Sequence, residues 1–259
     1  RGGWMDAAWA VLLVLAVFVC VVLHEFGHSL QVRRYGIVVR DIILLPIGGM
    51  ARAERIPDDP KQEIVVAISG PLVNFALALV FFTVLMIRSK PLTFENDFLV
   101  NLLYINIALG TFNLIPAFPM DGGRILRGLL ATKMDYLRAT RFAKNVGQII
   151  AVLFVIIGFV DTSFIMLPLI AVFIFFGAMT EEKMVRVKLN LDGKRARDFI
   201  LHDVPIADAE GLPLIAADTP ASQVYYYLRS HRLQAAAVRE QDGRLLGLLD
   251  IDALAARVG

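Results

Sequence analysis

The chain has 259 residues, of which 57% are hydrophobic and 19% are charged, and its mean hydropathy is +0.64. This composition is more apolar than that of a typical soluble domain, so part of the chain is expected to lie in lipid. The formal net charge of +2 provides no broad basic field for nucleic acid. The single cysteine, Cys20, excludes an internal disulfide and a multi-cysteine zinc site.

Five long uncharged stretches predict membrane-spanning helices, since about 20 apolar residues cross a bilayer core. The fourth stretch is short and would need its polar flanks to reach the interface. A buried helical core is the alternative, but it would leave too little polar surface to dissolve the protein. The stretches cover residues 7–23, 64–87, 98–120, 146–160 and 162–179.

Basic residues concentrate in the loops after the first and third predicted spans. Few lie on the opposite side, where Arg1, Arg88 and Lys90 are found. Loops rich in Lys and Arg stay in the cytoplasm, so these loops and the C-terminal tail are expected to face it. The basic residues are Arg33, Arg34, Arg40, Arg52, Arg55 and Lys61 in the first loop and Arg124, Arg127, Lys133, Arg138, Arg141 and Lys144 in the second.

The sequence His24-Glu25-Phe26-Gly27-His28 follows the first predicted span. Residues four apart share one face of a helix, so His24 and His28 can bind one metal ion, and Glu25 beside them can take a proton from water. The alternative is a chance match at a helix end. Ionisable groups are costly at the end of a membrane helix, which favours a functional site.

Residues 36–50 are rich in β-branched side chains and are interrupted by Pro46, Gly48 and Gly49. They predict a strand or hairpin at the cytoplasmic membrane face. An exposed strand edge would hold a substrate segment extended by adding a strand to the sheet. The alternative is a purely structural loop.

Asn74 places a carboxamide in the middle of the second predicted span, where it must find a partner. It can donate to an oxyanion or bond to another helix, and the sequence leaves both uses open. Gly70, one turn earlier, is expected to permit close helix packing. Cys20 lies one turn before His24 and could approach the metal, although a small core residue is the simpler interpretation.

A catalytic zinc needs a third protein ligand, and Asp121 is the best candidate. Near it, Pro116, Pro119, Gly122 and Gly123 must break the third predicted span. Broken backbone at membrane depth occurs only where it is buried in protein or lines a watery cavity, and hydrolysis requires such a cavity. The alternative is that Asp121 only caps the helix that follows it.

These motifs together resemble the site-2 protease family of intramembrane zinc metalloproteases, over residues 7–179. The matching segments are residues 24–28, 70–74 and 113–124. The resemblance implies zinc bound by His24, His28 and Asp121, and Glu25 as the general base. It also implies that Asn74 and Asn113 line the substrate cleft, and that six membrane helices make up the full domain.

Beyond residue 180 the composition changes to a charged, linker-like stretch followed by alternating strand and helix signals. We predict strands at 214–216, 235–238 and 245–249, a helix at 219–231, a turn at 241–243 and a final helix. This order resembles a CBS domain, which implies adenine-nucleotide sensing. One copy is present, so a cleft would need a homodimer, and the Asp250 carboxylate would repel a phosphate. His202 and His231 are interpreted as surface residues.

The sequence therefore predicts a membrane α-helical bundle with a short membrane-surface β segment and a small α/β CBS-like soluble domain. The expected domains are a zinc metalloprotease at 1–180, a linker at 181–194 and the CBS-like domain at 195–259. We expect the protein to cleave membrane-spanning proteins in the lipid bilayer of a prokaryotic cell membrane, with its active site toward the cytoplasm. A metal transporter using the same side chains, or a catalytically silent binding protein, is the alternative.

Overall fold

The computed structural model describes residues 3–37, 39–45, 48–53, 59–88, 97–201 and 211–256. The chain divides into two compact units, Arg1–Glu181 and Glu182–Gly259. Five residues that entered the sequence predictions lie outside the described residues: Arg1, Pro46, Arg55, Lys90 and His202.

The described residues of the first unit form helices and one hairpin. Its helices are α1 (Trp4–Arg34), α2 (Pro60–Ile87), α3 (Phe98–Asn113), α4 (Asp121–Ala131), α5 (Tyr136–Val160) and the first part of α6 (Leu167–Leu191). Within the described residues, α1, α2 and α5 are long and apolar enough to cross a membrane, and α3 is a shorter apolar helix. The helical membrane class is therefore confirmed; three of the helices meet the criterion for a span, so the predicted number of five stays a prediction.

All five predicted spans differ in bounds from the helices of the structure, and the fifth, predicted at 162–179, corresponds to a short 3-10 helix at Thr162–Phe164 followed by α6. The third, expected to reach residue 120, ends as a helix at Asn113, because the loop with Pro116 and Pro119 follows. The fourth is longer than expected, since α5 begins at Tyr136 and its N-terminal turns carry polar residues that a hydropathy run omits. The Asp135 carboxylate accepts a hydrogen bond from the backbone N–H of Arg138 and caps this helix.

Helix α2 packs against α1, α3 and α4, so it lies at the centre of these helices. The α1–α2 contact is close at Gly27, where an added Cβ would lie 2.8 Å from the Ser69 carbonyl oxygen. Apolar side chains of α1 such as Leu12 and Leu15 are more than half exposed, as expected for a surface that faces lipid.

The predicted hairpin is present. Strand β1 (Val39–Leu45) pairs antiparallel with β2 (Gly48–Ala53), with Ile43 opposite Met50. Both strands pack beside α1.

The second unit contains a three-stranded sheet with two helices. Strands β3 (Leu214–Ala216) and β4 (Ala235–Arg239) are parallel, β5 (Leu245–Asp250) runs antiparallel to β4, and the helices are α7 (Ala221–Ser230) and α8 (Ile251–Ala256). These elements occur where the strand and helix signals predicted them. Phe199, Leu228, Leu249 and Leu254 are buried in the core. His231 is exposed, and the stretch interpreted as a linker is helical to Leu191.

Candidate metal centre

The two histidines of the predicted motif lie together inside α1. His24 and His28 are buried one helical turn apart, and their Nε2 atoms are 3.1 Å from each other. The helix continues past both residues to Arg34, so the motif lies within the helix and not at its end.

Asp121 completes the cluster from a distant part of the chain. It is the first residue of α4, and its Oδ2 atom lies 3.2 Å from the Nε2 atoms of His24 and His28. Glycine allows this approach, because a Cβ on Gly122 would lie 2.2 Å from the Ile115 carbonyl oxygen. The break after α3 therefore folds the chain back tightly and presents the carboxylate to the histidines.

The hydrogen bond of each imidazole identifies the nitrogen that carries the proton. His28 Nδ1 lies 2.7 Å from the carbonyl oxygen of Val66, which can only accept, so Nδ1 is the donor. His24 Nδ1 lies 2.5 Å from Asn74 Oδ1, which is likewise an acceptor. In a neutral imidazole one nitrogen is protonated, and Nε2 of both residues therefore presents a lone pair to Asp121.

Three lone-pair atoms facing one another need a cation between them. Zinc ligands lie about 2.0–2.1 Å from the metal, which places tetrahedral neighbours about 3.3 Å apart. The observed separations of 3.1–3.2 Å among His24, His28 and Asp121 match this spacing. The donor set of two imidazoles and one carboxylate fits a zinc ion and leaves a fourth position open.

Gly70 of α2 faces this cluster. A Cβ at this position would lie 2.2 Å from His28 Nε2 and 2.6 Å from His24 Nε2. Only glycine therefore leaves room beside the two nitrogens, a role that helix packing alone did not indicate.

The remaining predicted residues lie outside the group of three ligands. Glu25 follows His24 directly and is half-buried. Asn113 is half-buried at the end of α3, where its Nδ2 donates to the Leu109 carbonyl oxygen at 3.1 Å. Cys20 is buried and accepts a hydrogen bond from Asn106 Nδ2 at 3.3 Å. Asn106 was missed from the sequence, although it is a carboxamide within an apolar run, as Asn74 is.

Comparison with known proteins assigns the chain to a family. The model of peptidase family M50 matches residues 12–95 and 87–157, which include His24, His28 and Asp121. This chain belongs to peptidase family M50. A zinc metalloprotease of Methanocaldococcus jannaschii is 36% identical over 94% of this chain and 68% of its own length.

Two further proteins are similar to this chain. A putative zinc metalloprotease of Synechocystis is 34% identical, over 77% of this chain and 54% of that protein. The solved structure of a site-2 protease from Methanocaldococcus jannaschii is similar with a TM-score of 0.52 and 37% identity, covering 68% of this chain and 87% of that one. The chain is therefore an intramembrane zinc metalloprotease of the M50 family.

Proposed function

We propose that this M50 peptidase hydrolyses peptide bonds within or near the membrane-spanning segments of other proteins, using zinc bound by His24, His28 and Asp121. The observation that carries the proposal is the convergence of three buried lone-pair atoms, 3.1–3.2 Å apart, on one point. Such a group needs positive charge among its atoms, and a zinc ion would supply it.

Zinc, when bound, supplies a Lewis acid that polarises the scissile carbonyl and lowers the pKa of a water molecule. A protein side chain transfers the proton. Glu25 accepts the proton of the attacking water and then delivers it to the leaving amine. The half-buried position of Glu25, next to a buried ligand on the same helix, supports this role.

Asn74 and Asn113 have different parts in this proposal. Asn74 already uses its Oδ1 for His24 and its Nδ2 for Asn106, so we assign it to holding the ligand. The residue is also fully buried, so its second amide hydrogen is not accessible to a substrate. Asn113 bonds the Leu109 carbonyl through one amide hydrogen and has a second available to a substrate. We therefore assign the lining of the substrate cleft to Asn113.

Zinc content and cleavage measured on the same purified protein test these assignments. Glu25→Gln removes the base and keeps the ligands, so it should bind zinc fully and lose cleavage of a membrane-spanning peptide by at least about 100-fold. His24→Ala and Asp121→Ala should lose both zinc and cleavage. Full cleavage by Glu25→Gln, or undiminished zinc in either ligand variant, contradicts the proposal.

We also propose five membrane spans, formed by α1, α2, α3, α5 and the apolar part of α6, with the active site toward the cytoplasm of a prokaryotic cell. The basic residues that precede and begin α5 support this orientation. An extended substrate segment would pair with the edge of the β1–β2 hairpin as an added strand. Labelling of a Lys133→Cys variant by a membrane-impermeant thiol reagent tests the orientation. The variant should react when the reagent reaches the cytoplasmic side of the membrane and should not react when the reagent is added from outside the cell.

For the second unit we propose a CBS-like regulatory domain over residues 195–259, joined to the protease domain by residues 181–194. Its sheet order and helices support this assignment. An adenine-nucleotide cleft would need a homodimer, and Asp250 Oδ1 already accepts the Asp252 backbone N–H at 2.7 Å. Calorimetric titration of the full chain with ATP tests the sensing role, and the absence of heat would remove it.

A further inference from the structure

Asn106 lies in the middle of α3, fully buried, and has no place in the reaction described above. Its carboxamide makes three hydrogen bonds. Nδ2 donates to the Leu102 carbonyl oxygen at 2.9 Å and to Cys20 Sγ at 3.3 Å, and Oδ1 accepts from Asn74 Nδ2 at 3.0 Å. The side chain therefore connects α3 to both α1 and α2.

The Leu102 carbonyl decides which way the Asn106 amide faces. A carbonyl oxygen can only accept, so the NH2 group of Asn106 must point toward it and the oxygen must point toward Asn74. Asn74 must then present its own NH2 to Asn106. Its oxygen is left facing His24 Nδ1.

This order of donors and acceptors ends at the metal ligand. An acceptor opposite Nδ1 keeps the proton on that nitrogen and leaves the lone pair on Nε2, the atom that faces Asp121. A reversed Asn74 amide would present NH2 to Nδ1 and favour the proton on Nε2, where it would block a metal ion. The alternative is that Asn106 has only a packing role between the helices.

We propose that Asn106 is a positioning residue that acts through Asn74 to select the metal-binding tautomer of His24. The inference rests on the proposed role of His24 as a zinc ligand. A partner that orients a metal-bound histidine typically contributes about 10- to 100-fold to metal affinity. Asn106 would do so from one side chain further away, without touching the ligand.

The test measures the affinity of the full chain for zinc in detergent, by competition with a chelator. Asn106→Leu keeps the size of the side chain and removes the acceptor, so zinc affinity should fall about 10-fold or more. Asn106→Asp keeps an oxygen for Asn74 Nδ2 and should retain most of the affinity. Asn101→Leu is the matched control. Asn101 is also on α3 and its Nδ2 also donates to the carbonyl four residues earlier, that of the N-cap residue Asp97, at 2.9 Å and outside the network.

A double variant separates positioning from packing. If Asn106 acts through Asn74, then Asn74→Leu combined with Asn106→Leu should lose no more zinc affinity than Asn74→Leu alone. Unfolding of the metal-free variants in the presence of EDTA serves as the fold control. Additive losses, or a loss for Asn106→Leu equal to that for Asn101→Leu, would overturn the inference.

The same measurement distinguishes two kinds of failure. If His24→Ala binds zinc as the unaltered chain does, the proposed metal site is wrong. If His24→Ala loses zinc while Asn106→Leu matches its control, the metal site stands and only the role of Asn106 is refuted.

Discussion

Replacing Gly70 by alanine should strongly weaken zinc binding by displacing the imidazoles of His24 and His28. The new Cβ would lie 2.2 Å from His28 Nε2 and 2.6 Å from His24 Nε2. A nonbonded carbon needs about 3.5 Å, so the imidazoles would have to move by roughly 1 Å. Metal–ligand distances tolerate only about 0.2 Å. Because two proposed ligands are displaced, we expect zinc affinity to fall by more than the ~100-fold upper range seen for loss of one orienting partner.

The assay is the zinc content of purified protein after dialysis against a graded chelator, followed by cleavage of a membrane-spanning peptide. Gly147→Ala is the control, since its closest contacts, to Ala117, are at 3.3 Å and need only a small adjustment. That variant should keep its zinc. Wild-type zinc affinity in Gly70→Ala would refute the reasoning, because it would mean that the histidines meet the metal elsewhere.

Much of the candidate site could be predicted because two of its three clustered residues are local in sequence. A helical period of 3.6 residues places His24 and His28 on one face whatever the rest of the chain does. Asp121 was identified from the backbone break around it, although nothing in the spacing determines a 3.2 Å approach. The strands of the second unit were predicted from short apolar runs between turns, and β3 has the bounds that were predicted.

The parts that were missed depend on how helices cross. Gly70 was assigned to packing, yet its contact with both imidazoles follows from the α1–α2 approach, which no local pattern encodes. Asn106 meets Asn74 across 32 positions of sequence, and only the packing of α3 on α2 brings them together. Hydropathy located the apolar runs correctly but misjudged the start of α5, because its polar first turns lie outside any apolar run.

Two further predictions concern charges away from the metal. Fully buried Arg127 bonds Glu63 through Nε at 2.9 Å and Glu181 through Nη1 at 2.8 Å. Arg127→Met should therefore destabilise the first unit by about 3–5 kcal/mol in detergent unfolding by leaving Glu63 uncompensated, and adding Glu63→Met should recover most of the loss. In the second unit, a hydrogen bond from Arg195 and the charge of Arg197 lower the pKa of the Asp218 carboxyl. Because the folded pKa lies below the unfolded value of about 3.9, Asp218 stabilises the fold above that pH, and the contribution disappears as the pH falls through the folded pKa. Hydrogen exchange of the Ala196 and Arg197 backbone amides, corrected for the intrinsic exchange rate, should show this loss of protection at low pH. The Asp218→Asn variant should not show the pH-dependent loss. An unchanged acid profile in Asp218→Asn would mean that another group is responsible for it.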